Sequence, residues 1–165
     1  MKLRWMGALC AAGVAGTALA ASSTTLLKTS STWDGSAIDY SKARCPEVDA
    51  VVVDIPPNGV TPIHLHPVNN YAYVLEGQVT VEEGDVAAGA LAVKKSATFK
   101  KGDAFAEVVN TWHRGTAGPE GVKILVWYTS EMGQPFTVAY SPDYRIERAS
   151  KEASSCAAGT ADVKK

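Results

Sequence analysis

The stretch that decides the fold runs from Gly59 to Gly77, GVTPIHLHPVNNYAYVLEG. At its centre, His64-Leu65-His66 holds two of the three histidines in this 165-residue chain. The segment is read as a strand, and side chains alternate faces along a strand, so residues 64 and 66 point the same way. One metal ion can then use both imidazoles. On the same parity Asn70 falls on the inner face, provided the Pro67-Val68-Asn69 loop does not shift the count, and it lies near enough to offer a carbonyl oxygen.

The third histidine, His113, follows a β-type run and sits in Asn110-Thr111-Trp112-His113-Arg114. That turn-like connection would bring it across a barrel to the first pair. Three neutral imidazoles with open coordination positions suit iron, nickel, zinc, copper or manganese, with geometry and supply deciding among them. An HxH pair alone is also what two surface histidines on an edge strand look like.

Outward from this stretch, short β-type runs are punctuated by Gly, Pro and Asn, and no long amphipathic helical period or internal repeat occurs. Strands are expected over 48–55, 62–66, 71–75, 78–82, 90–93, 97–99, 104–109 and 122–129, with a further one at 136–139. Glu76-Gly77 reads as a tight hairpin turn, since glycine supplies positive backbone angles. The class is therefore all-β, and many short strands favour a sandwich or small barrel.

The ends differ from the middle. Lys2 and Arg4 precede an uncharged run over residues 8–20, and Ala18-Leu19-Ala20 places small residues where a signal peptidase reads them. The expectation is a signal peptide over 1–20, cleaved between Ala20 and Ala21, with the mature chain periplasmic or secreted and without a membrane anchor; the run is short of the ~20 residues a span needs. Residues 21–47 form a Ser/Thr-rich arm whose Leu26-Leu27 pair would make an edge strand or pack on the body. The barrel domain is expected over 48–146. Residues 147–165 hold no aromatic residue and one large aliphatic, Val163, so a disordered tail is expected. Beyond the leader two cysteines remain, Cys45 and Cys156, a candidate disulfide in an exported protein.

Charge excludes one class of partner. The net charge of −1 becomes −3 once Lys2 and Arg4 are removed, leaving 14 basic residues against 17 acidic ones. Nucleic acid is thereby a poor partner. The sequence also lacks a phosphate-cradling Gly-rich loop with a following lysine, a dinucleotide fingerprint and a nucleophile elbow.

The Gly59–Gly77 stretch resembles the first motif of the cupin superfamily, G(x)5HxH(x)3-4E(x)6G. It has four residues rather than five after the first glycine, and Asn70 where the family usually has a metal-binding glutamate. Gly102-DAFAE-Val108-Val109-Asn110-TW-His113-RGT-Ala117 resembles the second motif, G(x)5PxG(x)2H(x)3N. Its first glycine and its histidine are in place, while Val108, Asn110 and Ala117 replace proline, glycine and asparagine. The resemblance covers about residues 48–130. It implies a double-stranded β-helix, a jelly-roll barrel, with His64, His66 and His113 as ligands to one divalent transition metal. Asn70 is a neutral and poorer ligand, which would coordinate weakly, orient a water or substrate, or do neither. Some cupin-type dioxygenases use three histidines without the glutamate, and by this likeness iron leads and manganese, nickel, zinc and copper follow. Dimerisation through edge strands, here within 21–47, is a further implication.

Around the metal, Glu107 is a candidate fourth ligand or general base if its strand turns it inward; a solvent-facing charge is the commoner outcome and the one expected. Tyr71, Tyr73, Trp112 and Trp127 are candidate pocket aromatics, though aromatics on strands more often serve the core. Arg114 is a candidate contact for an anionic substrate or, more commonly, a partner in a structural salt bridge. The function this implies is an exported, metal-dependent, dioxygenase-like enzyme acting on a small organic molecule. A lyase or isomerase would use the same residues, and a non-catalytic periplasmic module for small molecules or metal is the competing class. A fold with a vestigial metal site is the third.

Overall fold

A chain whose apolar residues recur every second position buries one face only by pairing strands. The computed structural model, which describes residues 24–39 and 45–144, has seven strands and no helix among them. They are β1 (Pro46–Ile55), β2 (His64–Leu65), β3 (Asn69–Ala87), β4 (Ala90–Lys100), β5 (Ala104–Ala106), β6 (His113–Glu131) and β7 (Val138–Ala139). All pairings are antiparallel, in the order β4-β3-β6-β2-β7, with β1 also on β6 and β5 also on β3. This is the expected all-β jelly roll.

Two 19-residue strands, β3 and β6, form its frame. The first half of β3 pairs with β5 and with residues 123–129 of β6, and its second half pairs with β4 and with residues 113–117. Glu76-Gly77 is therefore not a hairpin turn but a corner within one strand. Gly77 has φ +70, and a Cβ there would lie 2.0 Å from the carbonyl oxygen of Gly121, itself at φ +79. Register shifts flank Gly77, and the buried side passes from Asn70, Ala72 and Val74 to Val79, Val81 and Glu83. In β6 it passes from His113 and Ala117 to Val122, Ile124, Val126 and Tyr128. An extra residue flips strand parity, so each strand turns the corner with its apolar face still inward.

The hairpin lies instead at Ala88-Gly89, with φ +50 and +78, between the paired Ala87 and Ala90. Both central residues have the positive φ that a type I′ turn requires. β4 is continuous, not two strands; Lys94, Lys95 and Ser96 interrupt the apolar pattern because they face solvent on an edge strand, where lysine discourages further pairing. Leu65, Val74, Val79 and Val108 are fully buried, each contributing about 1.5–3 kcal/mol by leaving water.

The described part of the arm forms no strand, and Leu26 and Leu27 stay exposed. It docks through Trp33, whose backbone N–H donates to the Ala106 carbonyl (2.9 Å), and through Asp34, whose carboxylate lies 3.3 Å from Lys95 Nζ. Asn69 Nδ2 donates to the Asp39 carbonyl at 2.7 Å. Cys45 is buried and disulfide-bonded. Cys156, the leader with its Ala20-Ala21 junction, and the tail 147–165 lie outside the described residues. No helix among the described residues is long and apolar enough to cross a membrane.

Candidate metal centre

Two neighbouring strands place the three histidines. His64 opens β2 and stands directly opposite His113, the first residue of β6, so His113 reaches the pair from the neighbouring strand rather than from across the barrel. His66 follows β2 by one residue. The ring centroids lie 4.3 Å (His64–His113), 4.9 Å (His66–His113) and 5.0 Å (His64–His66) apart. One nitrogen from each ring lies within 4.8 Å of the others.

The tautomers follow from the backbone. His64 Nδ1 is 2.8 Å from the Pro62 carbonyl, His66 Nδ1 is 2.8 Å from that of Phe136, and His113 Nδ1 is 2.8 Å from that of Thr111. A carbonyl only accepts, so each Nδ1 carries the proton and each Nε2 keeps its lone pair. This is the outer-shell arrangement that orients histidines on a metal. Burial, and then the neighbouring His113, pulls His64 down to about 4. Burial, then His113 and His64, pulls His66 down to about 3. Burial also lowers His113. All three are neutral at physiological pH, and their chemistry fits one transition-metal ion.

The second motif's departures keep its geometry. Asn110, in the usual glycine position, has φ +55, and asparagine tolerates this left-handed region better than most residues. Its N–H donates to the His66 carbonyl at 2.8 Å, tying the loop before His113 to the first histidine pair. Val108 is fully buried where the motif has proline.

The histidines open onto a cavity of about 430 Å³. Asn70 lines it as parity predicted, buried, its Nδ2 without a partner. Glu107 also lines it, against the expectation of a solvent-facing charge. β5 ends at Ala106, so strand alternation no longer governs the next residue, and Glu107 Oε1 accepts from Trp33 Nε1 (2.5 Å) and the Val108 N–H (3.1 Å). Burial pushes its carboxyl up, while those two donors pull it down.

The pocket aromatics are other residues than those expected. Tyr71 and Tyr73 alternate with the inward Asn70, Ala72 and Val74, which puts them on the opposite face of β3. Trp127 shares their row and is exposed. Trp112 packs edge-on against Tyr140 and Tyr144, outside the cavity wall. The wall holds Phe105, Tyr128 and Phe136 instead, and Tyr128 stacks on Phe136 with its ring 5.3 Å from that of His66. The alternation of Ile124, Val126 and Tyr128 was the available signal. Arg114 donates to Glu82 at 2.8 Å, the structural salt bridge, and lies outside the cavity wall.

A search of curated proteins found no match. Among solved structures, the chain is similar to the oxalate decarboxylase of Lactobacillus farciminis, at 20% identity and TM-score 0.46 over 56% of this chain and 26% of that one. It is similar to the DMSP lyase DddQ of Ruegeria pomeroyi, at 18% and 0.46 over 59% and 45%. It is also similar to an oxalate oxidase in complex with the substrate analogue glycolate, at 23% and 0.45 over 56% and 45%. The chain spans less than half the length of each, and similarity at this level carries no activity across. The family model described as Cupin domain matches residues 51–128, which reach from β1 almost to the end of β6 and include all three histidines. With the jelly roll built around those histidines, the chain belongs to the cupin superfamily.

Proposed function

We propose that this chain is an exported metal-dependent cupin whose His64, His66 and His113 hold one divalent transition metal through Nε2 and act on a small organic molecule in the cavity. The observation that carries the reading is three clustered imidazoles, one nitrogen of each within 4.8 Å of the others, with each Nδ1 bonded to a backbone carbonyl so that each Nε2 keeps its lone pair. When bound, the metal, iron first among iron, manganese, nickel, zinc and copper, supplies Lewis acidity, open coordination positions and, as iron, one-electron chemistry with O2. The chain's own part is to shape and dry the cavity and to place Glu107 in its wall, within reach of a bound molecule's exchangeable proton. A dioxygenase-like oxidation is the leading reaction. Oxygen uptake by the iron-loaded protein with small aromatic and diketone compounds tests it, and turnover of at least one is expected. Tight binding without turnover for any reconstituted metal would overturn catalysis and favour the non-catalytic binding module, the second reading, which the absence of a carboxylate at position 70 supports.

Export rests on the composition of residues 1–20 and accords with a disulfide-bonded Cys45, since disulfides persist in oxidising compartments. We also propose a homodimer through residues 21–47, where Leu26 and Leu27 are exposed. A monodisperse monomer in light scattering would contradict it.

A further inference from the structure

Asn70 stands where the first motif usually carries a carboxylate, so that motif gives the three histidines no negative charge. The imidazoles are themselves neutral, each with Nδ1 bonded to a backbone carbonyl. A divalent ion held by them keeps both of its positive charges, and unbalanced charge is costly in a buried site. Among the described residues that line the cavity, Glu107 is the one carboxylate and none is a lysine or arginine. With Glu107 ionised, the loaded cavity is left with one positive charge. Resting on the metal centre proposed above, we infer that the cavity selects an organic monocarboxylate, whose charged head balances that excess and whose uncharged, apolar body fills the remaining space.

The wall sets the limit to one charge. Val51 and Val53 of β1, Phe105 of β5, and Ile124 and Val126 of β6 line it and match an apolar body. The volume, about 430 Å³, admits a body of modest size. A second carboxylate at the far end of a ligand would be buried against these side chains with no cation beside it, and would carry the cavity past neutrality. Glu107 does not call for a cationic ligand, because Trp33 Nε1 and the Val108 N–H already donate to its Oε1. A cation would add to the positive excess, and an uncharged ligand would leave it standing.

The test is calorimetric binding of benzoate, acetate, benzamide and terephthalate to the cobalt-loaded full chain, with the visible absorption of cobalt as a second readout. Benzoate is expected to shift that absorption and to bind about a hundredfold more tightly than acetate, because its ring leaves water. Benzamide, of the same shape without the charge, and terephthalate, with a second charge, are each expected to bind at least about tenfold more weakly than benzoate. Metal-free protein should lose the preference for benzoate over benzamide. Asn70→Asp returns a negative charge to the first motif; it should retain cobalt and weaken benzoate about tenfold more than it weakens benzamide. Benzamide or terephthalate binding as tightly as benzoate, the same preference without metal, or an Asn70→Asp protein that binds benzoate as the wild type does would each overturn the inference. If Asn70→Asp does not fold, the wild-type comparisons decide alone. Elemental analysis of the same samples keeps the two readings apart: wild-type protein that retains no cobalt overturns the metal centre and this inference with it, whereas cobalt retained without a preference for benzoate overturns the inference alone.

Discussion

The indole Nε1 of Trp33 donates to Oε1 of Glu107 at 2.5 Å, joining the N-terminal arm to the wall of the histidine-lined cavity across 74 positions of sequence. The arm is thus part of the site. Trp33→Phe keeps a ring against Phe99 and removes a donor from a buried carboxyl. Urea unfolding should show a loss of about 1–3 kcal/mol, the cost of leaving a buried acceptor short of a partner. In a Glu107→Leu background the same substitution should cost much less, because the partner is gone. Equal losses in both backgrounds would show that the bond contributes nothing.

Asn110 offers a local test of how the two histidine segments are held together. Its φ of +55 and its bond to the His66 carbonyl predict that Asn110→Gly is nearly silent, since glycine adopts that angle and keeps the N–H. Asn110→Val should destabilise the protein by about 1–2 kcal/mol, the cost of a branched residue forced into the left-handed region. It should also weaken zinc retention. Equal melting temperatures for the two variants would contradict this account of the loop.

Acid should loosen the arm through Asp34. Burial opposes ionisation of this carboxyl, but the Thr32 hydroxyl, the Ser36 amide and hydroxyl, and Lys95 outweigh burial and hold it at about 2 against an ordinary 3.8. A folded value below the unfolded one means that the stabilisation is present above the ordinary value and is lost as pH falls towards 2. Glu83 works the other way: burial and then the Asp34 charge raise its carboxyl, so acidification relieves it. Asp34→Asn should therefore flatten the decline in unfolding midpoint between the ordinary carboxylate range and about pH 2. A decline as steep as that of the wild type would remove Asp34 from the explanation.

The sequence made the site's histidines legible and left its walls obscure, for a physical reason. His64, His66 and Asn70 lie within one short stretch, where strand parity carries from one residue to the next. Glu107, Tyr128 and Phe136 depend on register between distant strands. Gly77 shows why register was hidden: it reads as a turn residue, and its positive φ is real, but the close approach of Gly121 makes it a corner that reverses parity along β3. The Ala88-Gly89 hairpin lacks the Asn-Gly or Asp-Gly that would announce it. Trp33 had no local signal at all, because its partner lies on the far side of the fold's connectivity.

The central claim is that three histidines hold one metal. Elemental analysis of the full chain purified from its native compartment, beside His64→Ala and His113→Ala, tests it directly. About one transition-metal ion per chain is predicted in the wild type, and below about a tenth of that in either variant, with the strand signal in circular dichroism unchanged. A wild type without metal, or variants that retain as much as the wild type, would contradict it.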